Sequence, residues 1–431
     1  MTKIDRTIPP IIRNIGNFSL PTPRKSILDN GISTFCFDNP NLNLIFILLQ
    51  FKTGSLYQKK KHVCQYMFSL LRESSKCYQP EEMEELLDFY GTNITTNVGI
   101  DKVQILISVP KRNIDKILPN ICDFLINPSF RDKSLQLFKE KEIKNLAYNE
   151  QKTDFLSLRL MWWEFFGKVY PEIFKFSSPN TINNVTIDDL TKFHKDFFCA
   201  ENTTLFYTGN IDSSTENFIK TSFAAIPHGK KSPELLTISC ENERHLVYQN
   251  KPNSLQSSLV LASLSLGYND PERTKFSLLS TLTGGYFGSR LMQNLRERKG
   301  FTYGISASSA FFGKQSIFII SSDVNASDTN AAIDACFEEL RILQNEPANE
   351  SELETVKKYI TGLNLRSIDT SLNAMQKFAL YHHFGLDETE MSRYIAEIKT
   401  ITTTDTQNIA KKHFDYNKFN KIIVGEYCEN N

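Results

Sequence analysis

At 431 residues the chain is longer than one hydrophobic core ordinarily supports, so two or more domains of about 200 residues are expected. Apolar residues make up 40% and charged residues 23%, the balance of a soluble globular protein. Lys+Arg and Asp+Glu both total 49, and the zero net charge excludes a bulk electrostatic attraction to nucleic acid or an anionic membrane.

The first residues, Met1-Thr2-Lys3-Ile4-Asp5-Arg6, mix both charge signs and lead into Pro9-Pro10 without an apolar signal-peptide core. A cytoplasmic location is expected on that basis, with the periplasm left open. Leu42 to Phe51, interrupted by Asn43 and Gln50, is too short to span a bilayer and reads as a buried strand. Lys59-Lys60-Lys61 reads as a solvated loop. Met83, Leu86, Leu87 and Tyr90 fall at helical spacing, and Gly91 follows as a stop. Val103, Ile105, Ile107 and Val109 alternate with period 2, as in a strand. Helical spacing returns at Ile114, Ile117, Leu118, Ile121 and Leu125, where Pro119 must sit near a helix start or produce a kink. Trp162-Trp163 and Phe165-Phe166 form an aromatic block on a helix, read as core or interface packing. Pro227 to Pro233 is polar, charged and punctuated by Pro and Gly, a linker that divides the chain into 1–229 and 230–431.

The second half repeats the order of the first. A helix through Leu291 to Arg298 stops at Gly300, strands run over 301–309 and 316–324, and Ile333, Cys336, Phe337 and Leu340 return to helical spacing. Ser351 with Glu354 three residues on has the form of a capping box. Hairpins and helices come in blocks, not in strict βαβ alternation. The fold class is therefore α+β, two sandwich halves that each pack helices on one face of a mostly antiparallel sheet. The eight cysteines are scattered without a CxxC pair, which suits free thiols. His382 and His383 are adjacent and, on a helix, point about 100° apart, so they cannot chelate as an i, i+4 pair. Gly284-Gly285 and Gly288 lack the spacing of a phosphate-binding loop.

The most specific local signal is Gly284-Gly285-Tyr286-Phe287-Gly288-Ser289-Arg290-Leu291 running into Asn294 through Gly304. Arg296 falls on the last turn of a helix that ends at Gly300, and Tyr303 falls at the start of the strand that follows. A tight turn there brings a guanidinium and a phenol to one edge, where they can hold a peptide carbonyl or a carboxylate, and the phenol can donate to a developing oxyanion. A helix-terminal Arg favoured by the macrodipole and a Tyr packed at a sheet rim would give the same sequence.

This segment resembles the C-terminal half of pitrilysin/insulinase-type zinc peptidases, in which an Arg and a Tyr seven positions apart, around the same turn, complete the peptidase site. The resemblance extends over almost the whole chain: Thr53-Gly54-Ser55 before a helix, the strand through Val109, Pro128-Ser129-Phe130 before a charged helix, and the paired halves. It is strongest to bacterial short-chain members, in which two half-size subunits share one active site. The resemblance also names the family's catalytic signature, HxxEH on a helix, with a Glu farther along as third zinc ligand.

The matching stretch here is His62-Val63-Cys64-Gln65-Tyr66. Gln65 stands at the position of the base and cannot take a proton, and Tyr66 replaces the second ligand with a neutral phenol. Taking His62 as the second His instead puts Gln58 and Lys61 at the other two positions. The third-ligand position falls near Ala147, with Glu150 close by. Three neighbouring lysines would also oppose a dication. No zinc is expected in this chain.

The resemblance implies a non-catalytic subunit of a heteromeric zinc endopeptidase. Zinc would be held by a partner with an intact HxxEH. This chain would close over a peptide substrate, delivering Arg296 and Tyr303 in trans, or would form a homodimer when alone. An interaction-only scaffold with no proteolytic role is the alternative.

Overall fold

The computed structural model describes Thr7, Gly16 and residues 18–238 and 245–426. The charged amino-terminal stretch with Pro9-Pro10, and Cys240 and Cys428, lie outside the described residues. Eleven described strands form two sheets: β1 (Arg24–Ile27), β2 (Ser33–Asp38), β3 (Leu44–Phe51), β4 (Asn93–Val98), β5 (Val103–Pro110), β6 (Thr203–Gly209), β7 (Leu246–Asn250), β8 (Gln256–Ser265), β9 (Thr302–Phe312), β10 (Gln315–Asn325) and β11 (Asn420–Gly425). The first sheet has the order β1-β2-β6-β3-β5-β4 and the second β7-β11-β8-β10-β9. In each, one pair is parallel, β2 with β6 and β7 with β11, and every other pair is antiparallel. Apart from β1 the two sheets share one topology, the structural form of the repeat faintly visible in the sequence.

Both faces of each sheet are buried, not one as the sequence pattern suggested. Along β3, Ile45, Ile47, Leu49 and Phe51 enter the core beneath the first half's own helices, together with Met67, Ile117, Leu190 and Ile219. Leu48, with Phe35, Phe37 and Phe206, packs in the opposite direction on Ala374, Met375 and Phe378. Those residues belong to helix Ser371–His383 of the second half. The second sheet reciprocates. Leu259 and Leu261 of β8 face that half's own helices, whereas Val260 and Ala262 meet Leu156, Leu160, Met161 and Phe166 on helix Thr153–Phe166 of the first half. Each half therefore lends one helix to the other half's sheet. This explains why β3 and β8 read as near-continuous apolar runs instead of alternating ones.

Local signals account for most boundaries. Helix Pro80–Phe89 opens with Pro at its first position and a reciprocal Gln79–Glu82 box, and it stops before Gly91 at φ +63°. Pro119 lies inside helix Ile114–Ile126, on its exposed face. The helix expected to open at Ser351 instead spans Glu350–Arg366, because the Asn349 side chain accepts from the Ser351 amide at 2.8 Å and takes the cap. The connecting segment is strapped to the first half and to β10. The Gly229 and Ser232 amides donate to Glu201 and Asn202 at 2.6 Å, and Gln315 makes two 2.8 Å bonds to the Ile238 backbone. No described helix is long and apolar enough to cross a membrane. The six described cysteines are free thiols.

Candidate functional site

The degenerate motif sits at the start of helix Val63–Leu70, beneath β3. His62 precedes the helix instead of lying within it, at a left-handed φ of 74°. The helix is capped from outside, by Gln58 Oε1 accepting from the Cys64 amide at 2.9 Å. The Tyr66 amide donates to the His62 carbonyl at 2.9 Å, so the two side chains stand one turn apart, with ring centroids 5.4 Å apart in a stacked arrangement. His62 Nε2 lies 3.5 Å from the Thr181 hydroxyl. Burial, with the adjacent Lys61, lowers its pKa to about 4 and keeps the imidazole neutral near pH 7. Gln65 points to solvent, its amide 3.2 Å from Ser69 Oγ. Tyr66 is fully buried, and its phenol makes no described hydrogen bond. Burial raises its pKa, and nearby Glu142 pushes in the same direction.

Helix Asp132–Asn149, which carries the charged stretch, packs against this motif. Phe138 meets the Tyr66 ring edge-on at 4.9 Å. Ala147 is exposed, and Glu150 is ion-paired with Arg159 at 2.8 Å. Sequence reasoning missed Phe138 and Glu142. The signal available was their own i, i+4 spacing, which places both on the face turned to Tyr66. The lysines are not a loose solvated run either. Lys60 pairs with Asp189 at 2.5 Å, and Lys61 donates to the Ile173 carbonyl at 2.9 Å. Burial, reinforced by Arg159 and Lys175, lowers the Lys61 pKa to about 8.

These residues do not fit zinc. The ligand positions offer one neutral imidazole, an exposed amide and an aromatic pair, and among the described residues no group of three or more His, Cys, Asp or Glu could hold a metal ion. A cavity of about 400 Å³ opens beside the motif, with Phe68, Ile94, Phe124 and Leu137 among its walls.

The second constellation lies at the edge strand β9. The segment before it is a helix widened to i→i+5 hydrogen bonding over Met292–Arg298, ending with the Lys299 amide on the Asn294 carbonyl at 3.0 Å. Such widened turns are frequent at functional sites. Gly300, at φ +67°, reverses the chain directly into β9. Arg296 is part-exposed. Its guanidinium stands 4.7 Å from the centre of the Phe287 ring and a loose 3.6 Å from Glu297. At the strand start, Thr302 Oγ1 donates to the Asp323 carbonyl at 2.6 Å and accepts from the Gly304 amide at 3.0 Å. The β9–β10 register shifts here, so that Tyr303 and Gly304 together oppose Asp323. That bulge re-aims the phenol outward. Tyr303 is 90% exposed, and its hydroxyl bonds no described residue. The turn thus sets Arg296 and Tyr303 at one end of β9 without a bond between them. No described hydrogen bond, ion pair or ring contact joins them to the His62 motif.

Of the other sequence candidates, His382 packs against Phe35 at 4.8 Å. His383 Nε2 lies 3.1 Å from the buried Asp101 carboxylate. Trp162 stacks on Phe174 in the core between the halves.

The chain thus has two α/β-sandwich halves, a His62 motif whose described residues do not fit a metal, and an exposed Arg296–Tyr303 pair at the end of β9. Residues 184–360 match the family model described as the peptidase M16 inactive domain. Over that segment the chain is accordingly similar to the inactive domain of M16 peptidases, the pitrilysin/insulinase type. It is 24% identical over 401 residues to an uncharacterized zinc protease of Rickettsia felis, covering 89% of this chain and 93% of that one. It is 20% identical over 397 residues to the non-peptidase homolog YmxG of Helicobacter pylori, covering 90% of each. A solved M16 inactive domain from Pseudomonas fluorescens superimposes with a TM-score of 0.87 at 19% identity, over 95% of this chain and 99% of that one. A subunit of complex III2 from Candida albicans shares the fold at a TM-score of 0.73.

Proposed function

We propose that this chain is the non-catalytic subunit of a heteromeric M16-type zinc endopeptidase. A partner with an intact HxxEH motif holds the zinc, and this chain closes the peptide chamber and presents Arg296 and Tyr303 in trans. One observation carries the reading. In a chain whose zinc position is filled by packed aromatics, Tyr303 is still 90% exposed with an unpartnered hydroxyl, beside a guanidinium held only by a ring face and a loose carboxylate. A phenol serving only the fold would be expected to bury its ring or pair its hydroxyl. In the chamber the two groups would donate to the substrate carbonyl as negative charge develops on it. Their exposure suits donors whose acceptor arrives with the substrate.

The test is reconstitution with the HxxEH-bearing chain encoded or co-purified with this one. Tyr303→Phe is expected to lower kcat by about 10²–10³, the worth of an oxyanion donor, with little change in the melting temperature of this subunit. Full activity of the reconstituted variant would refute the trans role and leave the interaction-only scaffold as the better reading.

A further inference from the structure

A second cavity, of about 370 Å³ and partly polar, lies in the second half, next to the segment that carries Arg296 and Tyr303. Arg273, Lys377, Tyr268, Tyr381 and Ser280 are among its walls, and strand β9 contributes Ala307 to Ser309. Gly285 lines both this cavity and the shallow groove between Phe287 and the first residues of β9. One trough therefore follows β9 from the Tyr303 end to the cavity.

The charges inside are unequal. Arg273 is buried and bonded to Glu390, whose other oxygen accepts from Arg393 Nε at 2.9 Å. Glu390 is thereby fully committed. Lys377 is left over: among the described residues its ammonium has no carboxylate and no hydrogen-bond acceptor, only the Tyr381 ring at 5.4 Å. Burial, together with Arg273, holds its pKa below the ordinary lysine range, although Glu390 acts in the opposite sense. The hydroxyls of Tyr268 and Tyr381 also bond no described residue. An unpartnered ammonium and two unpartnered phenols converge on a space large enough for a ligand group. A half-buried cation without a counter-ion is costly unless a ligand supplies one.

We infer that this cavity is a carboxylate-binding site, which takes the terminal or side-chain carboxylate of a peptide lying along β9. The partnering selects the ligand: Lys377 is the one cation among the walls named above without a carboxylate and fits a singly charged carboxylate, whereas Arg273 is engaged, sharing Glu390 with Arg393. Strand geometry sets the spacing. From Tyr303 to Ser308 is five residues, about 17 Å, so the carboxylate falls about five residues from a carbonyl held by Tyr303. The peptide as ligand rests on the function proposed above, but the cavity and its unmatched cation do not.

The test is calorimetric titration of the full chain, without any catalytic partner, using an acetylated hexapeptide of uncharged side chains. It is supplied with a free C-terminal carboxylate or as the amide, with inorganic phosphate as a third probe. The free acid is expected to bind at least tenfold tighter than the amide. Lys377→Met should abolish that preference without lowering the melting temperature, because it removes a desolvated, unpartnered charge, and Lys377→Arg should retain it. Equal binding of acid and amide, no binding of either, an unchanged preference in Lys377→Met, a lowered melting temperature of that variant, or tighter binding of phosphate than of the free acid would each overturn the assignment. Tyr303→Phe should keep the preference, so a failed carboxylate site and a failed trans site remain distinguishable.

Discussion

The Tyr66 ring lies fully buried between the His62 and Phe138 rings, with its hydroxyl out of reach of any described donor or acceptor. A buried hydroxyl without a partner costs free energy that the ring's packing must offset. Tyr66→Phe keeps the ring contacts and removes that cost, so it should raise stability by about 1 kcal/mol, read as a higher denaturation midpoint at unchanged slope. At this scale the sequence was informative about identity. Gln65 and Tyr66 offer an amide and a buried phenol, neither of them a base or a ready metal ligand. It was less informative about facing: Ala147, near which the resemblance put a third ligand, is exposed, and Phe138 is the residue that meets Tyr66. A helix's rotation about its axis is set by the apolar stripe it buries. On helix Asp132–Asn149 that stripe is thin: Leu135 and Leu146 are its only buried large apolar residues.

At the scale of elements, the segment from Gly284 to Tyr303 shows how one edge is built. Gly284 is required by close approach: a Cβ there would stand 2.7 Å from the Ala307 Cβ and 2.8 Å from the Ala307 amide nitrogen of β9. Gly284→Ala should therefore push the Tyr286–Phe287 loop off the strand and cost about 1–3 kcal/mol, with loss of the Arg296–Phe287 contact, checked by thermal melting and by a crystal structure of the variant. The helix, the stop at Gly300 and the strand were all legible, because Gly punctuation and the change of period are local properties. The i→i+5 widening of the helix and the bulge that turns Tyr303 outward were not. Both arise where the segment must match the fixed spacing of β9 and β10, a constraint no local pattern encodes.

Across the whole molecule the halves are locked by exchanged helices and by polar bridges, among them Gln50 to the Ala379 carbonyl, Ser157 to Ser258, and a cluster at Asp101. Asp101, in the β4–β5 hairpin of the first half, accepts from the Gly313 amide at 2.9 Å and lies 3.1 Å from His383 Nε2, both in the second half. Burial alone would raise the Asp101 carboxyl pKa, but the His383 hydrogen bond and charge, with the Gly313 amide, hold it below the usual value. A carboxylate with a depressed folded pKa contributes stability that is fully present above its unfolded pKa. That contribution is lost as pH falls through the folded one. Asp101→Ala should cost about 3 kcal/mol at pH 7 by leaving His383 and the Gly313 amide without their acceptor, and the deficit should shrink toward acid pH below the ordinary aspartate pKa. Denaturant titrations at pH 7 and in that acid range would check both parts. An unchanged deficit there would show that Asp101 acts through packing alone.

The sequence by itself determined the α+β class, the repeat of two halves and the place of Arg296 and Tyr303 at a helix–strand turn. Each of these follows from residue identity or from a period of two or 3.6, which neighbours in the chain carry between them. Only the tertiary structure decided that both faces of each sheet are covered and that the cover comes from the opposite half. It also decided that Phe138 packs on Tyr66, and that Lys377 lines a cavity with Arg273 and two phenols. These depend on contacts between residues far apart in the chain, such as Asp101 with His383, whose pairing is fixed by which apolar surfaces remain to be buried once each half has formed.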